Sequence, residues 1–127
     1  MSWFHKNFEQ IKEKVKYLLN KHHYRYIDYK FAKKFIKDKD SVLDAGCGSG
    51  TFITYLNGIK CTGIDINPEN VEFCKLNGIN ATQGNILSLP YKENSFDVAH
   101  CSHVMQVFNP SEAAQMLSEL CRVTRSG

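Results

Sequence analysis

Val42-Leu43-Asp44-Ala45-Gly46-Cys47-Gly48-Ser49-Gly50 decides how the rest of the chain is read. Ser41, Val42 and Leu43 favour a short buried strand. Glycines at 46, 48 and 50 let the backbone turn through positive φ and approach a ligand closely. Thr51-Phe52-Ile53-Thr54-Tyr55-Leu56 then reads as a helix that stops at Asn57-Gly58. A strand, a glycine turn and a helix start together form a cradle of outward-pointing N–H groups. A phosphate loop of the G-x-x-x-x-G-K-[ST] type is excluded, because no Lys follows the glycines. A dinucleotide fingerprint wants a third glycine where Thr51 stands. The pattern present is acid-x-Gly-x-Gly-x-Gly, opened by Asp44. By itself it could also be a tight turn that binds nothing.

The acid-glycine pattern resembles the first motif of the class I S-adenosylmethionine (SAM)-dependent methyltransferases. SAM carries a sulfonium and an α-ammonium and no pyrophosphate, so a carboxylate beside the turn suits it. The resemblance implies that Asp44, Ala45, Gly46, Cys47 and Gly48 hold SAM, with S-adenosylhomocysteine as the product.

Lys60-Cys61-Thr62-Gly63-Ile64-Asp65-Ile66 is the second strand, and Asn67-Pro68 starts a helix as N-cap and N1 proline. That helix runs through Val71, Phe73 and Cys74 to Asn77-Gly78. Asp65 ends its strand nineteen positions after Gly46. An acid there can accept hydrogen bonds from both hydroxyls of an adenosine ribose, and Ile66 would pack on the adenine.

Ala81-Thr82-Gln83-Gly84 is a short third strand. The loop Asn85-Ile86-Leu87-Ser88-Leu89-Pro90-Tyr91 is similar to the family segment Gly-Asp-Ala-x-x-Leu-Pro-Phe. The resemblance implies that Asn85 stands where an Asp accepts from the adenine amino group, without charge assistance. The Ile86 N–H would serve an adenine ring nitrogen.

Ser95-Phe96-Asp97-Val98-Ala99-His100-Cys101-Ser102-His103 is the fourth strand and its exit. It resembles the family's Phe-Asp-x-Val/Ala strand and the Ser-His-Val-Leu-Glu-His turn behind it. The first His of that turn matches; Gln106 and Val107 replace the Glu and the second His. The resemblance implies that Cys101 and Ser102 line the methionine half of the cofactor and that His103 faces the acceptor as a general base. A capping or packing role for His103 stands equally open.

Asn109-Pro110-Ser111-Glu112 opens the last helix with a near capping box. Ala113, Met116, Leu117, Leu120, Cys121 and Thr124 recur at helical spacing and should pack on the sheet. Ahead of the first strand lie two more amphipathic stretches. One carries Phe4, Phe8, Ile11, Val15, Leu18 and Leu19, the other Tyr24, Ile27, Phe31, Phe35 and Ile36. In the resembling family such helices cover the pockets, so Tyr24, Tyr26 and Tyr29 are lid candidates.

The expected fold is therefore α/β: a three-layer Rossmann-like parallel sheet of order 3-2-1-4 with helices on both faces. Residues 1–40 form a helical cap and 41–127 an α/β core, all in one domain. The family's sheet continues through strands 5 to 7, whereas this sequence stops at the turn after Arg122-Val123. A truncated core is expected, with strand 4 as an exposed edge that a homodimer could cover.

Composition fits a globular domain, with 43% hydrophobic and 23% charged residues. No apolar run approaches the roughly 18 residues of a membrane span, and the N-terminus has no signal-peptide h-region. Five scattered cysteines without a C-x-x-C pair suit free thiols in a reducing cytoplasm better than a disulfide scaffold or zinc site. Residues 1–40 carry eleven Lys/Arg against five Asp/Glu, and residues 41–127 carry five against eight. That basic arm could meet an anionic partner or be a solvated helix face. No nucleic-acid-binding module is recognisable, so a small-molecule acceptor is expected. A SAM-binding fragment without activity and a nicotinamide dinucleotide domain are the alternative readings.

Overall fold

The computed structural model describes residues 22–102, 104 and 107–125, with side chains from Asp28 onward. The first amphipathic stretch, residues 4–19, lies outside the described residues, as do the side chains of Tyr24 and Tyr26 and all of His103. The elements are α1 (His22–Lys33), β1 (Val42–Ala45), α2 (Thr51–Leu56), β2 (Cys61–Asp65), α3 (Pro68–Leu76), β3 (Ala81–Gln83), β4 (Val98–Cys101) and α4 (Pro110–Val123). All four strands are parallel and stand in the order β3-β2-β1-β4, as expected.

The sheet alternates as a two-sided buried sheet must. Leu43, Ala45 and Ile64 face α4 and the loop after β3, in a core with Phe96, Met116 and Val123. Val42 and Cys61 face the other way and pack with Tyr29, Ile36, Phe52 and Leu56 of the α1 and α2 side. Cys47, Val71, Cys74 and Ala81 join α3 to that second layer. Helices therefore cover both faces.

Local chemistry sets the boundaries. Asn67 caps α3 by accepting from the Glu69 N–H at 2.9 Å. Asn109 and Glu112 make both bonds of a full capping box at α4. The chain leaves α2 through Asn57 at φ 36° and Gly58 at φ 93°, the stop expected there.

Two expectations are corrected. The stripe before β1 is rotated: Phe31 and Phe35 are 61% and 66% exposed and stack edge to face on each other, while Tyr29, Ala32 and Ile36 make the buried ridge. Two residues of shift turn a helix by about 200°, and the helix itself ends at Lys33. On α4 the buried ridge is Met116–Leu120–Val123, the i, i+4, i+7 set, and Leu117 and Cys121 point outward.

The edge of β4 is not bare where it begins. Phe96 donates its N–H to Val123 O at 3.0 Å and accepts from the Arg125 N–H at 2.8 Å, a parallel bridge to Thr124. Arg125 also pairs with Asp97 at 2.7 Å, and Asp97 accepts from the Ser41 N–H at 2.8 Å. The chain leaving α4 thus starts to run alongside β4.

Candidate functional site

Strand order reverses between β1 and β4, and in open α/β sheets ligands bind beyond the carboxyl ends of strands at such a point. Two cavities meet there, on either side of Gly46 and Val104. The first, of about 130 Å³, lies against the glycine turn and is lined by Asp44, Cys47, Gly48, His100, Ser102 and Tyr29 among others. The second, of about 210 Å³, lies over the end of β2 and is lined by Asp65, Ile66, Asn85 and Ile86, with Val107 and Phe108 opposite. One wall is polar and acidic, the other mostly apolar. Neither lining includes a Lys or Arg among the described residues.

The turn has the backbone that the glycines foretell. Gly46 and Gly48 stand at φ 76° and 55°. The Gly46 and Cys47 N–H groups both donate to Ile64 O, at 2.8 and 3.0 Å, which fastens the turn to β2. Asp65 fastens it again: one carboxylate oxygen accepts from the Gly48 N–H at 2.8 Å, the other from the Asn67 N–H at 2.9 Å. Asp65 is therefore a structural tie as well as part of the apolar cavity's wall. Each of its oxygens keeps further acceptor capacity for a ligand hydroxyl. Ile66, 66% exposed, presents an apolar face to the same cavity.

Asn85 and Ile86 reach that cavity too. Asn85 uses its side-chain oxygen to accept from the Leu87 N–H at 2.9 Å, closing a turn. α4 clamps this loop. Glu119 accepts from the Leu89 N–H, Arg122 donates to Leu89 O and Tyr91 O, and Gln115 donates to Leu87 O. Glu119 and Arg122 also pair with each other.

Not every expected residue comes to the site. Ala45 is fully buried in the α4-side core, so only its backbone borders the turn. The Cys101 side chain is corrected: it points to Met116 Sδ at 3.9 Å, away from both cavities. Alternation along β4 explains this, since Cys101 shares a face with Ala99, and His100 faces the turn. Ser102 does line the first cavity, and so does Tyr29, the one lid candidate whose side chain is described. Burial pushes the Cys47 thiol up, and pushes Cys61 to about 12 and Cys101 to about 11. None of the three is poised as a thiolate nucleophile.

His100 is the site residue that motif reading misses. It stands opposite Asp44 in the β1–β4 register, with its Nδ1 2.9 Å from Asp44 Oδ1. A signal was available: Asp44 and His100 are the polar residues in the middle of two adjacent apolar strands, and buried polar groups seek partners.

Comparison with known proteins bears on this geometry. The profile of the methyltransferase domain family matches residues 43–127. The chain belongs to the class I SAM-dependent methyltransferase family. It is 31% identical over 115 residues to the "Probable methyltransferase ltbC" of Aspergillus luteorubrus, covering 76% of this chain and 40% of that protein. It is 31% identical over 97 residues to the fatty-acid O-methyltransferase of Mycolicibacterium smegmatis, covering 68% and 34%. A SAM-dependent methyltransferase of Methanosarcina mazei superposes with a TM-score of 0.69 at 29% identity, over 76% of this chain and 53% of that one. The chain thus spans well under half the length of these two curated relatives. No helix among the described residues is long and apolar enough to cross a membrane.

Proposed function

We propose that the joined cavities are a SAM cradle and that this domain serves methyl transfer to a small organic acceptor. The observation that carries the reading is the pair of cavities of opposite character meeting at Gly46. The donor set fits the cofactor. Asp44 and Asp65 favour a cationic ligand and would oppose a pyrophosphate. Ile66, Ile86 and Phe108 offer apolar surface for a purine, and the Ile86 N–H a donor to it. Gly46 brings backbone close at the junction. When bound, SAM supplies an electrophilic sulfonium methyl that an acceptor O, N or C nucleophile displaces in line. The chain's part is to hold that methyl towards the acceptor, which is where most of the acceleration of such a transfer arises. Asp44, Gly46, Gly48 and Ser102 would hold the amino-acid end, and Asp65, Ile66, Asn85 and Ile86 the adenosine. His103, at the exit of β4, would take the acceptor's proton. Tyr29 of α1, buried against Phe52 and Leu56, also lines the first cavity, which supports placing α1 in a cap of residues 1–40 over residues 41–127. The fatty-acid O-methyltransferase among the relatives supports an organic acceptor.

The test is a calorimetric titration of the full chain with S-adenosylhomocysteine and, in parallel, with NAD, followed by transfer of a radiolabelled methyl from SAM to carboxylic acid, amine and alcohol acceptors. Saturable binding of S-adenosylhomocysteine alone is expected. Preference for NAD, or no binding by a folded chain, would overturn the cofactor assignment. Binding without transfer to any acceptor would leave a SAM-binding module and remove the catalytic part of the reading.

A further inference from the structure

Asp44 is 3% exposed, on a strand whose other neighbour presents only Gly63 in register. Among the described residues, its side-chain hydrogen bond is the one to His100. The imidazole is itself held from two sides. Phe52 stacks on it with centroids 3.7 Å apart and planes 23° apart, and Tyr29 meets it edge-on at 5.9 Å. An ionised carboxylate only accepts, so whenever Asp44 is ionised Nδ1 carries the hydrogen of this pair. Both residues line the cavity beneath the glycine turn.

We propose that His100 is a positioning residue for cofactor binding: its Nδ1–H holds the Asp44 carboxylate as an ionised, oriented acceptor for the ligand's ammonium group. This rests on the cradle reading above and adds a residue that the glycine motif does not contain. The local balance makes such a donor necessary. Burial pushes the Asp44 carboxyl up, the His100 hydrogen bond and charge oppose that, and Asp65 across the turn adds to the upward push. The other ionisable groups facing the pair are the thiols of Cys47 and Cys61 and the phenol of Tyr29, while the Cys101 thiol lies on the opposite face of β4. None of these thiols is shifted towards the charged form, so His100 is the group that can keep Asp44 ionised. Without it the carboxyl takes up a proton more readily, and a neutral acid recognises an ammonium poorly.

Two variants separate the donor from the ring. His100→Phe keeps the stack on Phe52 and removes the N–H. His100→Asn keeps an N–H near the Nδ1 position and removes the ring. S-adenosylhomocysteine would be titrated calorimetrically into the wild-type chain and both variants from mildly acidic to mildly alkaline pH. His100→Phe should lose about tenfold or more in affinity at the acidic end. The loss should shrink as pH rises and Asp44 ionises unaided. His100→Asn should stay within about threefold of wild type with an unchanged profile. Equal, pH-independent losses in both variants would reduce His100 to packing and overturn the proposal. Should His100→Phe not fold, the nitrogen-15 imidazole spectrum of the wild type decides: an Nδ1 without hydrogen contradicts the proposal. No binding by the folded wild type would remove the cradle reading and this proposal together. Wild-type binding with equal losses in both variants would remove this proposal alone.

Discussion

Gly46→Ala is the perturbation whose cost can be worked most fully. Gly46 stands at φ 76°, and a Cβ there would lie 2.5 Å from Val104 Cγ2. Carbon atoms rest at about 3.5–4.0 Å, so the valine must move. An L residue in the left-handed region costs about 1–2 kcal/mol, and the overpacking about 1–3 more, for a total of about 2–5 kcal/mol. Gly48 provides the control. It stands at φ 55°, and no atom would meet a Cβ within 4 Å. Gly48→Ala should therefore cost only the conformational part, about 1–2 kcal/mol. The difference belongs to Val104, and Val104→Ala in the Gly46→Ala background should recover it. The assay is urea unfolding at neutral pH of the wild type, Gly46→Ala, Val104→Ala and the double variant, with Gly48→Ala beside them. A coupling energy of about 1–3 kcal/mol is expected from the cycle. If Gly46→Ala costs no more than Gly48→Ala, or the coupling stays within about 0.5 kcal/mol, the close approach at the cavity junction is refuted.

Tyr91→Phe should be neutral or raise stability by up to about 1 kcal/mol, because the buried Tyr91 hydroxyl has no hydrogen-bond partner among the described residues while its ring packs edge-on against Phe96. Thermal unfolding checks it, and a clear loss would reveal a partner for that hydroxyl. The Asp97 carboxyl is held below its ordinary value by the Ser41 backbone N–H first and by Arg125 next. A lowered folded value means stability that is present above the unfolded value of about 4 and lost as pH falls through the folded one, so Asp97→Asn should flatten the acid limb of a stability-against-pH curve. Arg122→Ala unties the loop after β3 from α4, since Arg122 donates to both Leu89 O and Tyr91 O. Amide exchange at Leu87 and Leu89 should quicken severalfold, with weaker S-adenosylhomocysteine binding; unchanged exchange would show that the clamp is idle.

The strand-turn-helix around Gly46 was legible because each part has its own local cause: β-branched or aliphatic strand residues, glycines where φ is positive, and Asn caps at Asn57, Asn67 and Asn109. The parallel order followed from alternation of strands and helices under one handedness rule. The apolar faces were less legible. Phe31 and Leu117 fit a helical stripe as well as Tyr29 and Val123 do, and what selects between them is the tertiary partner. The site divided in the same way. Asp65, Ile66, Asn85 and Ile86 end up around one cavity because they close consecutive strands on the same side of the sheet. Cys101 was misplaced and His100 overlooked because a one-residue choice of strand face depends on register, which lies in the pairing of β1 with β4. Asp65 carried a second task that spacing alone does not disclose. Its bonds to the Gly48 and Asn67 N–H groups mean that Asp65→Ala would loosen the turn whether or not the residue touches a ligand.

A contact measurement therefore tests the central claim better than loss of binding in a variant. Isotope-filtered nuclear Overhauser spectra of the labelled chain with S-adenosylhomocysteine would report which protons of each meet. The account predicts contacts from the adenine to Ile66 and Ile86 and from the amino-acid end to Gly46 and Ser102. Saturable binding with contacts elsewhere, or adenine contacts to the Asp44 and His100 cavity, would contradict it.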